Sequence, residues 1–153
     1  VAPFLSFERL LRKYLRLTKP KLILEWGTGN STRIMLEVCP ESEIHTIEHN
    51  PNWFIKWSRT FKDRKNVYAY CIPLTENYSL APLSFMQKGK FDLIFIDGRH
   101  RVKCLQVAKT VISDGGVVIL HDSERERYND GKALFRIIEE SDGTAVVNYH
   151  LTS

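Results

Sequence analysis

Short apolar and β-branched runs alternate with amphipathic segments along nearly the whole chain, and this alternation limits the fold more than any other feature. The runs fall at residues 22–24, 44–47, 67–70, 93–96 and 117–120, each bounded by turn residues. Between them lie helical patterns at 31–38, 52–62, 102–112 and 131–140; a further segment, 78–88, is interrupted by Pro82. Ahead of the first run, Phe7, Leu10, Leu11, Tyr14 and Leu15 recur at helical spacing, with Ser6 placed to cap and Thr18-Lys19-Pro20 to stop the helix. Strands that alternate with helices pair in parallel through right-handed crossovers. Nearly continuous apolar strands suit a sheet covered on both faces. The expectation is an α/β fold: a doubly wound, mostly parallel sheet in a three-layer α/β/α arrangement. The run at 145–149 supplies one last strand.

Composition excludes the competing classes. At 153 residues with 43% hydrophobic and 26% charged side chains, the chain can bury a real core and is neither disordered nor a coiled coil. No apolar run approaches the ~20 residues that span a bilayer, and residues 1–4 show no leader pattern. Cys39, Cys71 and Cys104 are dispersed and odd in number, which argues for reduced thiols and a cytoplasmic setting rather than a disulfide framework. The net charge of +4 comes largely from basic residues at 9–21 and 56–65. Such a surface can attract nucleic acid, but a solvated helix face explains it more simply.

Ligands of open parallel sheets bind beyond the carboxyl ends of the strands. The first strand ends in Glu25-Trp26-Gly27-Thr28-Gly29-Asn30-Ser31-Thr32. A dinucleotide loop would carry a third glycine where Thr32 stands, and Glu25 would repel a pyrophosphate. The same carboxylate suits a ligand bearing an ammonium group. Glu48 ends the second strand, nineteen positions beyond Gly29, where an acidic residue can accept ribose hydroxyls. A nucleoside with a free ribose and a cationic group describes S-adenosylmethionine.

These segments resemble the class I S-adenosylmethionine-dependent methyltransferases, whose fold is Rossmann-like. Residues 24–32 resemble the family's first motif, Ile47-Glu48 the second, 91–98 the fourth-strand motif, and 115–120 the glycine turn into the fifth strand. Asp97-Gly98 with His100, and His121-Asp122, look most like the small O-methyltransferase-like branch. The resemblance implies a cofactor-binding core at 20–123, an N-terminal helix at 1–19 and a C-terminal helix and strand at 124–153. It implies that Glu25 faces the methionine amino group, that the loop of Gly27, Thr28, Gly29 and Ser31 meets the carboxylate, and that Glu48 holds the ribose. Two departures stand out. Cys71-Ile72 occupies the place of an adenine-binding acid, leaving adenine recognition to backbone groups and to apolar contact with Ile72 or His49. Only one strand remains where the family ends in an antiparallel pair, so the chain is expected to be minimal or cut.

Methyl transfer requires in-line alignment of the acceptor and disposal of its proton. By resemblance to metal-dependent relatives, Asp97 and Asp122 stand where two ligands of Mg²⁺ or a similar divalent ion would be, with Ser123 third. A hydroxyl is a weak ligand for such an ion. The alternative is a metal-free site in which His100 or His121 is the base, with Asp97 also beside the cofactor. Trp53, Phe54 and Trp57 are expected to pack on the sheet, and Arg125 and Arg127 to reach toward an acidic acceptor or into solvent. The acceptor is expected to be a small molecule with an oxygen nucleophile. A catalytically degenerate relative that only binds, and a nicotinamide-dependent oxidoreductase, are the rival readings.

Overall fold

A computed structural model describes residues 6–122, 129–132, 135–141 and 143–148. The elements run α1 (Glu8–Thr18), β1 (Leu22–Trp26), α2 (Asn30–Val38), β2 (Glu43–Glu48), α3 (Pro51–Thr60), β3 (Val67–Cys71), α4 (Glu76–Leu80), a 3-10 helix (Ala81–Lys88), β4 (Phe91–Ile96), α5 (Arg101–Val111), β5 (Ile112–His121), α6 (Asn129–Lys132), β6 (Arg136–Ser141) and β7 (Thr144–Asn148). The strands form one seven-stranded sheet in the order β3-β2-β1-β4-β5-β7-β6. β1 to β5 pair in parallel, and β7 runs antiparallel to both β5 and β6. The doubly wound, Rossmann-like reading of the sequence is the fold observed.

Alternation along the central strands sorts the core into two layers. Leu24 and Trp26, Ile94 and Ile96, and Val118 and Leu120 point to the face covered by Leu105, Ala108 and Val111 of α5. Ile23, Leu93, Phe95 and Ile119 point to the opposite face, against Leu10, Leu11 and Leu15 of α1 and Ile34 and Met35 of α2. Helix α1 is fastened at its outer side as well, since Lys13 Nζ and Tyr14 Oη both donate to Glu139 of β6, at 2.6 and 3.0 Å.

Three local expectations are corrected. The cap residue of α1 is Phe7 rather than Ser6, and it makes no side-chain cap bond. The helix expected at 131–140 is a single turn, Asn129–Lys132, followed by strand β6. The sheet therefore ends in an antiparallel pair, β6 and β7, where one strand was expected. Lys19 stops α1 in a left-handed conformation, φ 44°, immediately before Pro20. Among the described residues no helix is long and apolar enough to cross a membrane.

Asp92, at the start of β4, joins three parts of the chain. One carboxylate oxygen accepts from the backbone N–H groups of Lys21 and Leu22, at 2.9 and 3.2 Å, and the other accepts from the Ser113 hydroxyl at 3.1 Å. Asp92→Ala leaves those groups without this partner and is expected to cost about 1–3 kcal/mol of stability, read as a lower urea midpoint. An unchanged midpoint would show that water replaces the carboxylate fully.

Candidate functional site

The chain crosses from one half of the sheet to the other between β1 and β4, and a cleft of about 870 Å³ opens beyond their carboxyl ends. Gly27 to Ser31, Glu48, His49, Trp53, Leu74 and the segment from Asp97 to Lys103 line it, with Phe7 of the chain's first turn.

The loop after β1 is built on a buried charge. β1 alternates, so Glu25 shares the α2 side of the sheet with Ile23, and it is fully buried. Three hydroxyls meet its carboxylate: Ser31 and Thr32 from the first turn of α2, and Thr46 of β2 at 2.8 Å. The single proton of Thr46 goes to Glu25, so the Thr28 hydroxyl is the donor in the 2.6 Å contact between the two threonines. Thr32 Oγ1 in turn accepts from the Gly29 N–H at 3.0 Å. Burial drives the Glu25 carboxyl up to about 7, opposed by its three hydroxyl donors and assisted by the nearby charge of Asp97. The resemblance has Glu25 facing a ligand's amino group. In the structure its oxygens are turned onto hydroxyls behind the loop, and it does not line the cleft. Its influence on the cleft passes through Ser31, Thr32 and Thr28.

Two glycines of this loop differ in why they are glycines. Gly27 has φ 97°, and a Cβ there would lie 2.8 Å from the carbonyl carbon of Asp97, so only glycine lets β1 and β4 approach at their ends. The nearest atoms to a Cβ on Gly29 would be those of the Trp53 and Trp57 rings, at an ordinary 3.6 Å. Trp53 itself is not packed on the sheet as expected. It stands at the cleft wall and donates its indole N–H to the Thr28 carbonyl at 2.6 Å, whereas Trp57 is buried.

Glu48 lies in the cleft at the end of β2. Its Oε2 accepts from the backbone N–H groups of His49 and Asn50, at 3.0 and 2.9 Å, and Oε1 accepts from Thr28 N–H at 3.2 Å. These bonds hold the carboxylate rigidly, with lone-pair capacity remaining on Oε1. His49 is placed beside it, its Nδ1 3.3 Å from Oε2. Cys71 and Ile72 do not line the cleft. The Ile72 N–H continues the sheet ladder to the Glu48 carbonyl at 2.9 Å and its side chain packs against the core, while the turn at Pro73 lifts Leu74 to the cleft instead.

At the opposite end, ligand atoms of Asp97, His121 and Asp122 lie within 4.8 Å of one another, a spacing that matches three donors around an ion. His121 Nε2 is 3.6 Å from Asp122 and 4.0 Å from Asp97. Its ring is held edge-on by Phe7 at 5.2 Å. The sequence reading missed Arg101. Its guanidinium stands between the two carboxylates, 3.3 Å from Asp97 Oδ1 and 3.4 Å from Asp122 Oδ2. The only sequence signal was its place four residues after Asp97, where the first turn of α5 turns it back on that side chain. Burial raises the Asp97 carboxyl above its usual range, against the pull of His121 and Arg101. His121 and Asp122 adjoin the cleft through Asp97 and Arg101 rather than lining it. His100 lines it but is not among the groups gathered around Asp122. Ser123, Arg125 and Arg127 lie outside the described residues.

A family model described as a methyltransferase domain matches residues 24–123. Among solved structures, a methyltransferase-like protein from Silicibacter pomeroyi superposes with a TM-score of 0.76 at 16% identity, over 96% of this chain and 86% of that one. A methyltransferase from Podospora anserina, bound to S-adenosylhomocysteine, gives 0.70 at 19% identity, over 94% and 77%. An O-methyltransferase from Bacillus cereus, in complex with the same molecule, gives 0.65 at 20% identity, over 82% and 59%. At these identities the likeness is one of fold. No curated protein matches the sequence.

The Glu25 geometry has a pH signature. Its carboxyl titrates near 4.5 when unfolded and at about 7 when folded, so the folded chain binds the extra proton between those values. The stability this contributes is fully present below 4.5 and is lost as pH rises toward 7. Glu25→Gln keeps the shape without the charge, and the difference in stability between the two proteins should shift in favour of the glutamine variant across that window. Parallel stability profiles from pH 4.5 to 7 would contradict the burial of an ionisable group here.

Proposed function

The chain belongs to the methyltransferase domain family, and we propose that it transfers a methyl group from S-adenosylmethionine to an oxygen nucleophile on a small molecule. The observation that carries this reading is the pairing, in one cleft, of a hydroxyl-braced glycine loop at the head of α2 with the rigidly held carboxylate of Glu48. The cleft's size suits a nucleoside ligand and a small acceptor together, and is poorly suited to a nucleic-acid duplex.

The residues fit that cofactor by their chemistry. Glu48 Oε1 can accept from a ribose hydroxyl. The backbone N–H groups of Asn30 and Ser31 open α2, whose positive end favours a carboxylate. His49, Leu74 and Trp53 offer apolar and aromatic surface for a base. When bound, S-adenosylmethionine supplies an electrophilic methyl group on a sulfonium. The chain's own task is then to align the acceptor and remove its proton. Asp97 is the carboxylate that both lines the cleft and adjoins His121, so the proton passes to Asp97, with His121 and Asp122 standing behind it. His100, exposed at the cleft mouth, contacts the acceptor rather than this group. The free thiols of Cys39, Cys71 and Cys104 accord with a cytoplasmic setting.

Calorimetric titration tests the cofactor reading. S-adenosylhomocysteine should bind and NAD should not. Glu48→Gln, which removes the negative charge but keeps the volume, should weaken binding about tenfold, equivalent to about 1.4 kcal/mol, with the fold retained. Undiminished affinity in the folded variant would place the ribose elsewhere, and tighter binding of NAD would overturn the methyltransferase reading.

A further inference from the structure

We infer that Arg101 is the resident cation of the Asp97–Asp122 pair and that methyl transfer here proceeds without a divalent ion. The inference rests on the methyltransferase reading and adds how its acceptor end is held together. Asp97 and Asp122 follow the ends of β4 and β5, which are neighbouring parallel strands, and a carboxylate oxygen of each lies within 4.8 Å of the other. Two carboxylates so close repel, and the site needs positive charge.

The guanidinium supplies it with its hydrogens already directed. Its terminal nitrogens lie 3.3 Å from Asp97 Oδ1 and 3.4 Å from Asp122 Oδ2. Nε donates to the Gly98 carbonyl at 2.9 Å and one terminal nitrogen to the His121 carbonyl at 2.6 Å. One side chain therefore ties the end of β4 to the end of β5. Two non-glycine residues in these loops adopt the left-handed conformation, His100 with φ 53° and Asp122 with φ 57°, and Arg101 braces both turns. It is 11% exposed, in keeping with a group built into the site.

A divalent ion would need oxygen donors from the same two carboxylates at roughly 2.0–2.6 Å. Asp97 Oδ1 already faces the guanidinium on one side and His121 Nε2 on the other, so ion and arginine compete for one place. The spacing of Asp97, His121 and Asp122 alone matches an ion, but with the guanidinium seated between the two carboxylates the described residues do not fit a resident divalent metal. Arg101 is a positioning residue: it holds Asp97, Asp122 and the His121 backbone in register for proton removal. An acceptor in such a site need not present two adjacent oxygens to an ion.

Mn²⁺ binding, followed by electron paramagnetic resonance of the free ion with and without S-adenosylhomocysteine, tests this. Wild-type protein should bind no Mn²⁺ at millimolar concentration. Arg101→Gln should gain a site with a Kd at least tenfold below that millimolar limit, which the further change Asp122→Asn abolishes, whereas Arg101→Lys should gain none. Wild-type binding of Mn²⁺ that Asp122→Asn removes would overturn the inference, and so would a folded Arg101→Gln that gains nothing. If Arg101→Gln does not fold, the wild-type and Asp122→Asn arms decide alone. Failure to bind S-adenosylhomocysteine would count against the methyltransferase reading, while the Mn²⁺ arms run in its absence would still decide the role of Arg101.

Discussion

A carboxylate with no access to water sets the conditions for everything at the glycine-loop end of this cleft. Glu25 ends a strand buried on both faces, and an ionised group there is costly by several kcal/mol unless hydrogen-bonded. Its three hydroxyl partners come from two other elements, α2 and β2. Meeting that demand pins the first turn of α2 against the end of β1. It also sets Thr28, through Thr46, in the position from which its N–H reaches Glu48. The exposed part of the cleft is thus arranged by a side chain that never lines it.

The other end of the cleft follows the same logic, with a cation in place of hydroxyls. Close approach of β1 and β4 at Gly27 and Asp97 brings a second acidic group to the rim, and the parallel neighbour β5 adds a third. Hydroxyls answer the charge of Glu25; a guanidinium answers the pair formed by Asp97 and Asp122. One cleft therefore carries a carboxylate free to accept hydroxyls, Glu48, and another tied to a cation and a histidine, Asp97. In the proposed reaction, that difference in surroundings separates a binding group from a proton-handling one.

The five parallel strands were legible because strands inside a two-faced sheet carry apolar runs at regular intervals; β1, β2, β4 and the latter half of β5 are buried in this way, and the edge strand β3 was marked by its β-branched and aromatic residues instead. Strand β6 was not legible. Ile137 and Ile138 are adjacent and both half-exposed at the sheet edge, so no alternation marks the strand, and the pattern reads as a helix. Glu25, Gly27 and Glu48 stood out because each violates a local expectation, a charge or a glycine where the strand pattern calls for neither. Arg101 and Thr46 violate none. An arginine opening a helix and a threonine within a strand are ordinary, and only tertiary contact makes them specific. Leu74 replaced Cys71 and Ile72 at the cleft because the turn at Pro73 changes which residue faces inward, a matter of three-dimensional path rather than residue type.

The central claim is that the braced loop and Glu48 form a nucleoside site. A crystal structure of the protein with S-adenosylhomocysteine tests it most directly. The ribose hydroxyls should lie within hydrogen-bond distance of Glu48 Oε1, the ligand carboxylate at the N–H groups opening α2, and Glu25 should remain bonded to Ser31, Thr32 and Thr46 behind the loop. A ligand bound with its ribose away from Glu48, or a Glu25 carboxylate released from its hydroxyls to touch the ligand directly, would contradict it.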